Sequence, residues 1–412
     1  MGYRIAGRVA AISSFAVLAG ALCAGELPRV APAEVGMSES RLARVAERMD
    51  SLVAQGEFPG MLAMIARRGS VVFEHAVGTL DVETGAPLEM DSLMRIYSMT
   101  KPITSVAAMT LVEDGKLLLD APVAMHFPEW KELKVLEDGE QVPASTAVTA
   151  RHLLMHTSGL TYGYYGDTPV DRMYREAKLI DDWDYLTHDT RELVLKLADI
   201  PLLFEPGSRW HYGFSSDVLG HLVERVSGQP LDGFFEDRLF SPLGMDDSYF
   251  DVPDAALKRF GTDHHVTDGE VIVQDSPRED PEFRDVTFLS GGGGLVMTAD
   301  NYMRFCLMLA SGGSFDGARI LSPATVALMT TNLLAAGDSA GGDGFGLGFA
   351  IAPAGPSRST LTPGSYYWGG AAGTFFWIDP NLDLVAIFMP QRIGSPPWIQ
   401  QTLQNMVYAA VE

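Results

Sequence analysis

Ser98 and Lys101 stand three residues apart where a helix should begin, in the stretch Arg95-Ile96-Tyr97-Ser98-Met99-Thr100-Lys101-Pro102. On a helix, positions i and i+3 share a face, so the hydroxyl and the amine can meet. A lysine activates a serine only after losing its own proton, which burial or a neighbouring cation promotes. The chemistry such a pair supports is nucleophilic attack on a carbonyl. Alone the match carries little weight, since roughly one Ser-x-x-Lys is expected by chance in a chain of this length. Acyl transfer also needs a second proton-handling group and an oxyanion site.

Tyr212, in Trp210-His211-Tyr212-Gly213-Phe214, lies on a turn leading into a helix from about Ser216 to Ser227 and can supply the first. A phenol titrates at about 10, and an adjacent ammonium such as that of Lys101 can lower this. Trp368-Gly369-Gly370-Ala371 can supply the second, because glycines on an edge strand let a substrate approach the backbone N–H groups closely. Taken singly, Tyr212 reads equally well as a core residue and the glycines as a bulge.

Rival chemistries have less support. Gly337-Asp338-Ser339-Ala340-Gly341 fits a Gly-x-Ser-x-Gly nucleophile, but loop sequence follows it and no histidine occurs after His265. The nine histidines are scattered, without a His-Glu-x-x-His or paired-cysteine pattern, so no metal and no cofactor is expected.

Pro102 disfavours helical geometry at Lys101, so the helix carrying this pair must start close to Ser98 and run to a stop at Gly115. That start points a positive dipole end at whatever Ser98 attacks. Before it come a helix over 38–54 and two apolar strands, 60–66 and 71–77, joined by a turn at Arg68-Gly69-Ser70. Residues 117–285 read as mostly helical and looped, with an acidic, exposed cluster at 181–184. Segments 366–370, 374–378 and 384–389 read as three antiparallel strands, and 397–410 as a closing helix. The simplest assembly is an α+β sandwich: one antiparallel sheet built from both chain ends (26–116 and 286–412) and flanked by helices, with a mainly helical domain (117–285) inserted. A cleft is expected at the boundary.

The net charge of −23 argues against nucleic acid and anionic membrane surfaces as partners, and only seven lysines occur, all between Lys101 and Lys258. Residues 1–25 have the layout of a secretory signal: Arg4 and Arg8, an apolar run from Val9 to Leu22, and Ala21-Leu22-Cys23-Ala24 as the cleavage region. The run is short for a membrane span, so stable insertion is not expected. The expectation is a periplasmic or secreted protein, a cytoplasmic one being the alternative. Cys306 sits in an apolar run and reads as core.

From about Pro32 onward the chain resembles the serine β-lactamase and penicillin-binding superfamily, most closely its class C-like enzymes and family VIII carboxylesterases. The resemblance rests on Ser98-Met99-Thr100-Lys101, Leu154 to Leu160, Trp210-His211-Tyr212, Ser290 to Leu295 and Trp368-Gly369-Gly370. It implies a β-lactamase/transpeptidase-like fold, an acyl-enzyme on Ser98, and a base role shared by Lys101 and Tyr212. It also implies an oxyanion hole made by the N–H groups of Ser98 and Ala371. Two departures bear on the substrate. Where β-lactamases of this type carry Lys-Thr-Gly, this chain has Trp368; where they carry asparagine two residues after the tyrosine, it has Phe214. A pocket bordered by Trp368, Gly369, Gly370 and Phe214 should favour uncharged, short-chain small-molecule esters over charged β-lactams. A β-lactamase, a D-aminopeptidase-like amidase, an acyltransferase, a penicillin sensor or a structural assembler remain alternatives. Oligomeric state is not legible.

Overall fold

The computed structural model describes residues 25–179, 189–267, 270–277, 283–355 and 359–412. The apolar run of the leader, Cys23 and the 181–184 cluster lie outside these residues. The architecture is an antiparallel sheet with helices on both faces. Its strands are β1 (Gly60–Arg67), β2 (Ser70–Asp81), β3 (Ala86–Pro87), β4 (Gly344–Phe345), β5 (Ala350–Ile351), β6 (Tyr366–Gly369), β7 (Phe375–Asp379) and β8 (Leu384–Pro390). They run in the order β4-β5-β6-β7-β8-β1-β2-β3. Both ends of the chain therefore build one sheet, and β1 against β8 is the seam, with Met64 opposite Ile387.

The hairpin between β1 and β2 closes on Arg68 (φ 51°) and Gly69 (φ 79°), a two-residue turn whose left-handed pair matches the strand twist. Strands β1 and β8 are apolar without a break because the sheet is covered on both sides. Met61, Ala63, Ile65, Ala386 and Phe388 pack with Val45, Met49, Leu403 and Val407 from α1 (Glu39–Ala54) and the closing helix Pro397–Ala409. Their alternates Leu62, Met64, Ala66, Ile387 and Met389 face the other way, into the larger core.

That larger core holds α2 (Thr100–Glu113), in which every residue from Thr100 to Leu111 is buried. Thr100 and Lys101 open it, and Pro102 falls in its first turn, where the missing N–H loses no helical bond. Ser98 itself sits one step earlier, in a 3₁₀ turn over Tyr97–Met99. Helix α3 (Pro169–Glu176) and helix α4 (Ser215–Ser227), the latter packed on α2, come from the segment read as inserted. That segment, read as mostly helical and looped with few and short strand signals, also carries the short antiparallel pairs Lys134–Glu137 with Glu140–Pro143 and Asp263–Thr267 with Glu270–Asp275. Cys306 is buried in the helix Ala299–Ala310. No described helix is long and apolar enough to cross a membrane.

Candidate active site

Three side chains meet at Ser98. Lys101 Nζ donates to Ser98 Oγ at 3.0 Å, and Tyr212 OH donates to the same oxygen at 2.7 Å. Lys101 Nζ also donates to the Gly292 carbonyl at 2.6 Å. The i, i+3 spacing does what helical geometry allows, and the turn before it adds tension: Tyr97 is held at φ 42°, unusual for a bulky side chain. Its hydroxyl donates to Asp263 Oδ2 at 2.8 Å, which fixes the residue preceding the nucleophile.

Burial sets the proton chemistry. Lys101 is 2% exposed, and desolvation pulls its pKa down to about 7, against the opposing pull of Asp217. Near neutral pH a substantial share of Lys101 is therefore neutral, with Nζ 3.0 Å from Ser98 Oγ. Tyr212 goes the other way. Burial pushes its phenol up, outweighing the hydrogen bond to Ser98, so the lowered phenol expected from the sequence is not found. The ammonium was to have stabilised a phenolate; in this dry setting the lysine yields its charge instead. Tyr212 is a proton donor at neutral pH.

Sequence reasoning missed Asp217. It lies on α4, five residues past Tyr212, fully buried, and accepts from Ser290 Oγ at 2.6 Å and from the Gly292 N–H at 3.1 Å. Burial raises its pKa, and Lys101 opposes that. Gly292 must lack a side chain because a Cβ there would collide with the Asp217 carboxylate. Asp217 thus holds the loop whose carbonyl holds Lys101. The faces of Tyr212 and Tyr162 lie 4.6 and 5.5 Å from Nζ, positions that favour the ammonium once it forms. Only the local signal of a charged residue on a helix start marked Asp217, and it points as readily to a capping role.

Trp368-Gly369-Gly370-Ala371 arrives from β6. This strand is not a free edge: Tyr366 and Tyr367 pair with β5, while Trp368 and Gly369 pair only with β7. Gly370 lies against the Ile96 carbonyl and Thr374, so close that a Cβ would clash with both. This contact brings the 369–371 segment beside the 96–98 turn. Trp368 packs 5.5 Å from the Tyr212 ring and 5.4 Å from Phe345.

Phe214 is misplaced by the sequence reading. It is fully buried, 4.7 Å from the Tyr162 ring and 6.1 Å from Tyr174, so it supports the wall and does not border the pocket. The residue before a helix can turn either way, and here Tyr162 covers it. Ser339 is exposed on a loop with neither strand before it nor helix after it, and its neighbour Asp338 accepts from the Trp210 N–H at 2.8 Å. Among the described residues no cluster of three or more metal-ligating side chains occurs.

The arrangement joins a desolvated amine and a phenol on one hydroxyl, two of the parts acyl transfer requires. Comparisons with known proteins agree. A family model described as Beta-lactamase matches residues 45–405. Esterase EstB of Burkholderia gladioli is 32% identical over 391 residues, spanning 90% of this chain and 96% of that protein. Protein Rv1367c of Mycobacterium tuberculosis is 35% identical over 360 residues, 82% of this chain and 86% of its own length. Among solved structures, EstCE1, a hydrolase with promiscuous acyltransferase activity, superposes with a TM-score of 0.79 at 28% identity, over 90% of this chain and 99% of that one. The chain belongs to the beta-lactamase family, among the family VIII carboxylesterases of the serine β-lactamase and penicillin-binding superfamily.

Proposed function

We propose that the protein is a serine carboxylesterase that hydrolyses small, uncharged esters through an acyl-enzyme on Ser98. The observation that carries this is the convergence of Lys101 Nζ and Tyr212 OH on Ser98 Oγ, with the amine desolvated enough to be neutral near pH 7. Neutral Lys101 takes the Ser98 proton as Oγ attacks the ester carbonyl. The developing oxyanion would be received by the N–H groups of Ser98 and Ala371, a reading supported by the close approach of Gly370 to the Ile96 carbonyl. The Gly292 carbonyl, the Asp217 carboxylate and the rings of Tyr212 and Tyr162 hold the resulting ammonium. The carbon–oxygen bond to the alcohol then breaks, Tyr212 delivers its proton to the leaving oxygen, and the Lys101 ammonium returns a proton to Tyr212. The net proton movement is from Ser98 to the alcohol, with Lys101 carrying it between. Water repeats the cycle on the acyl-enzyme and frees the acid.

Trp368 supports the uncharged substrate, since it places an indole where a carboxylate-binding lysine would otherwise stand and no lysine follows Lys258. The catalytic groups come from 26–116 (Ser98, Lys101), 117–285 (Tyr212) and 286–412 (Ala371), consistent with a cleft between a sheet domain and an inserted one. Residues 1–25 fit an export signal; a mature amino terminus near Gly25, read by protein sequencing, is the expected outcome, and retention of Met1 in a native host would oppose it. A substrate panel of esters of increasing acyl length, a chromogenic cephalosporin and a D-Ala-D-Ala peptide tests the reading as a whole. Turnover of the cephalosporin comparable with that of the esters would instead favour a β-lactamase.

A second reading, transfer of the acyl group to an alcohol, has support from the aromatic surroundings of Tyr212, which suit an organic acceptor in place of water. Formation of a new ester when ethanol is added would establish it; unchanged hydrolysis with no new ester would remove it.

A further inference from the structure

Tyr164 and Tyr165 are among the few large aromatic side chains left open to solvent in the described residues, at 36% and 57% exposure. They stand beside the reacting groups. The Tyr165 ring lies 5.9 Å from that of Tyr212 and 6.1 Å from that of Tyr162. Tyr164 lies 4.5 Å from Tyr165 and stacks on Tyr162 at 5.3 Å. The mechanism above uses neither of them.

The loop that carries them is tied down at both ends. Thr161 Oγ1 donates to Asp171 Oδ1 at 2.7 Å, and the Thr168 hydroxyl and N–H donate to Asp171 Oδ2 at 2.7 and 2.9 Å. Asp171 is 1% exposed, so these bonds are shielded from water. Arg175 donates to the carbonyls of Gly163 and Gly166 and pairs with Asp167 at 2.6 Å. Two solvent-exposed rings are therefore held in place, Tyr165 against Tyr212 and Tyr164 against Tyr162 and Tyr165. Exposed apolar area of this kind marks a surface that something covers. Rings already in place lose little freedom when that happens.

The position selects which half of the substrate arrives there. Tyr212 hands its proton to the leaving oxygen, so a ring packed against Tyr212 on its solvent side meets the alcohol half of the ester. We propose that Tyr165, backed by Tyr164, is a platform on which a flat aromatic alcohol group of the substrate stacks, making this site selective for aryl and arylmethyl esters. The inference rests on the esterase reading of Ser98. Offset or edge contacts between rings are strong enough to shift selectivity about three- to tenfold.

The test compares kcat/KM for 2-naphthyl acetate and ethyl acetate in the full-length wild type, Tyr165→Ala and Tyr165→Phe. Taking the naphthyl-to-ethyl ratio within each protein removes the intrinsic reactivity of the two esters. The ratio should fall about three- to tenfold in Tyr165→Ala, mainly through KM for the naphthyl ester, and return to the wild-type value in Tyr165→Phe. An unaltered ratio in Tyr165→Ala overturns the platform whether both rates hold or both fall, and so does a phenylalanine variant as impaired as the alanine one. With the wild type alone, 2-naphthol should inhibit competitively at lower concentration than its saturated decalin counterpart; equal inhibition contradicts the platform even if the alanine variant does not fold. A wild type that turns over neither ester overturns the esterase reading, and the platform falls with it.

Discussion

Lys101 Nζ lies 3.0 Å from Ser98 Oγ and 2.6 Å from the Gly292 carbonyl, inside a side chain that is 2% exposed. An amine so placed has few water molecules to stabilise its charge, and its pKa falls to about 7. Only the neutral form can take the Ser98 proton. Activity should therefore rise with pH through about 7 and level off above it. At about one unit below that value roughly a tenth of the maximum kcat/KM should remain on an uncharged ester. A pH profile flat between pH 5 and 8, on the order of the range over which lysine is fully charged in water, would remove Lys101 from the base role.

Asp217 should tune that limb. Its carboxylate favours the Lys101 ammonium and so raises the lysine pKa. Asp217→Asn keeps an acceptor for Ser290 and the Gly292 N–H but removes the charge. The acidic limb should then move to lower pH. A limb that stays in place or moves up would show that Asp217 is not ionised beside Lys101.

Tyr212→Phe retains the ring packing against Trp368 and His156 and loses the hydroxyl that bonds Ser98 at 2.7 Å. Turnover should drop about 10²- to 10⁴-fold, the range for losing a positioned proton donor, with thermal unfolding little changed. Activity within about tenfold of wild type would assign the proton transfer elsewhere.

Gly370→Ala probes the oxyanion segment. Its new Cβ would enter the space of the Ile96 carbonyl and Thr374 Oγ1, pushing 369–371 away from Ser98. A displacement of this kind is expected to lower kcat by about 10²-fold while KM changes less. Wild-type kcat in this variant would place the oxyanion against other N–H groups.

Legibility in the sequence follows how local each signal is. Ser98 and Lys101 are one helical turn apart, so their meeting is a property of the chain alone. Strands β1 and β8 carry long apolar runs, and both were readable; β4 and β5 are two residues each, too short to hold a period. Asp217 was not readable as a site residue. Its role depends on Gly291 and Gly292 crossing helix α4, a contact between segments 75 residues apart. Phe214 and the Tyr212 phenol were misjudged for one reason: burial decides both, and sequence shows residue type but not what covers it. Tyr162, which shields Phe214 and faces Lys101, comes from a third segment again.

The central claim, that Ser98 is the nucleophile, is tested most directly by mass spectrometry of the protein trapped with an ester-like phosphonate, alongside turnover by Ser98→Ala. The account predicts one adduct per chain, on the peptide holding Ser98, and neither adduct nor turnover in the variant. An adduct on another serine, Ser339 included, or ester hydrolysis that survives Ser98→Ala, would contradict it.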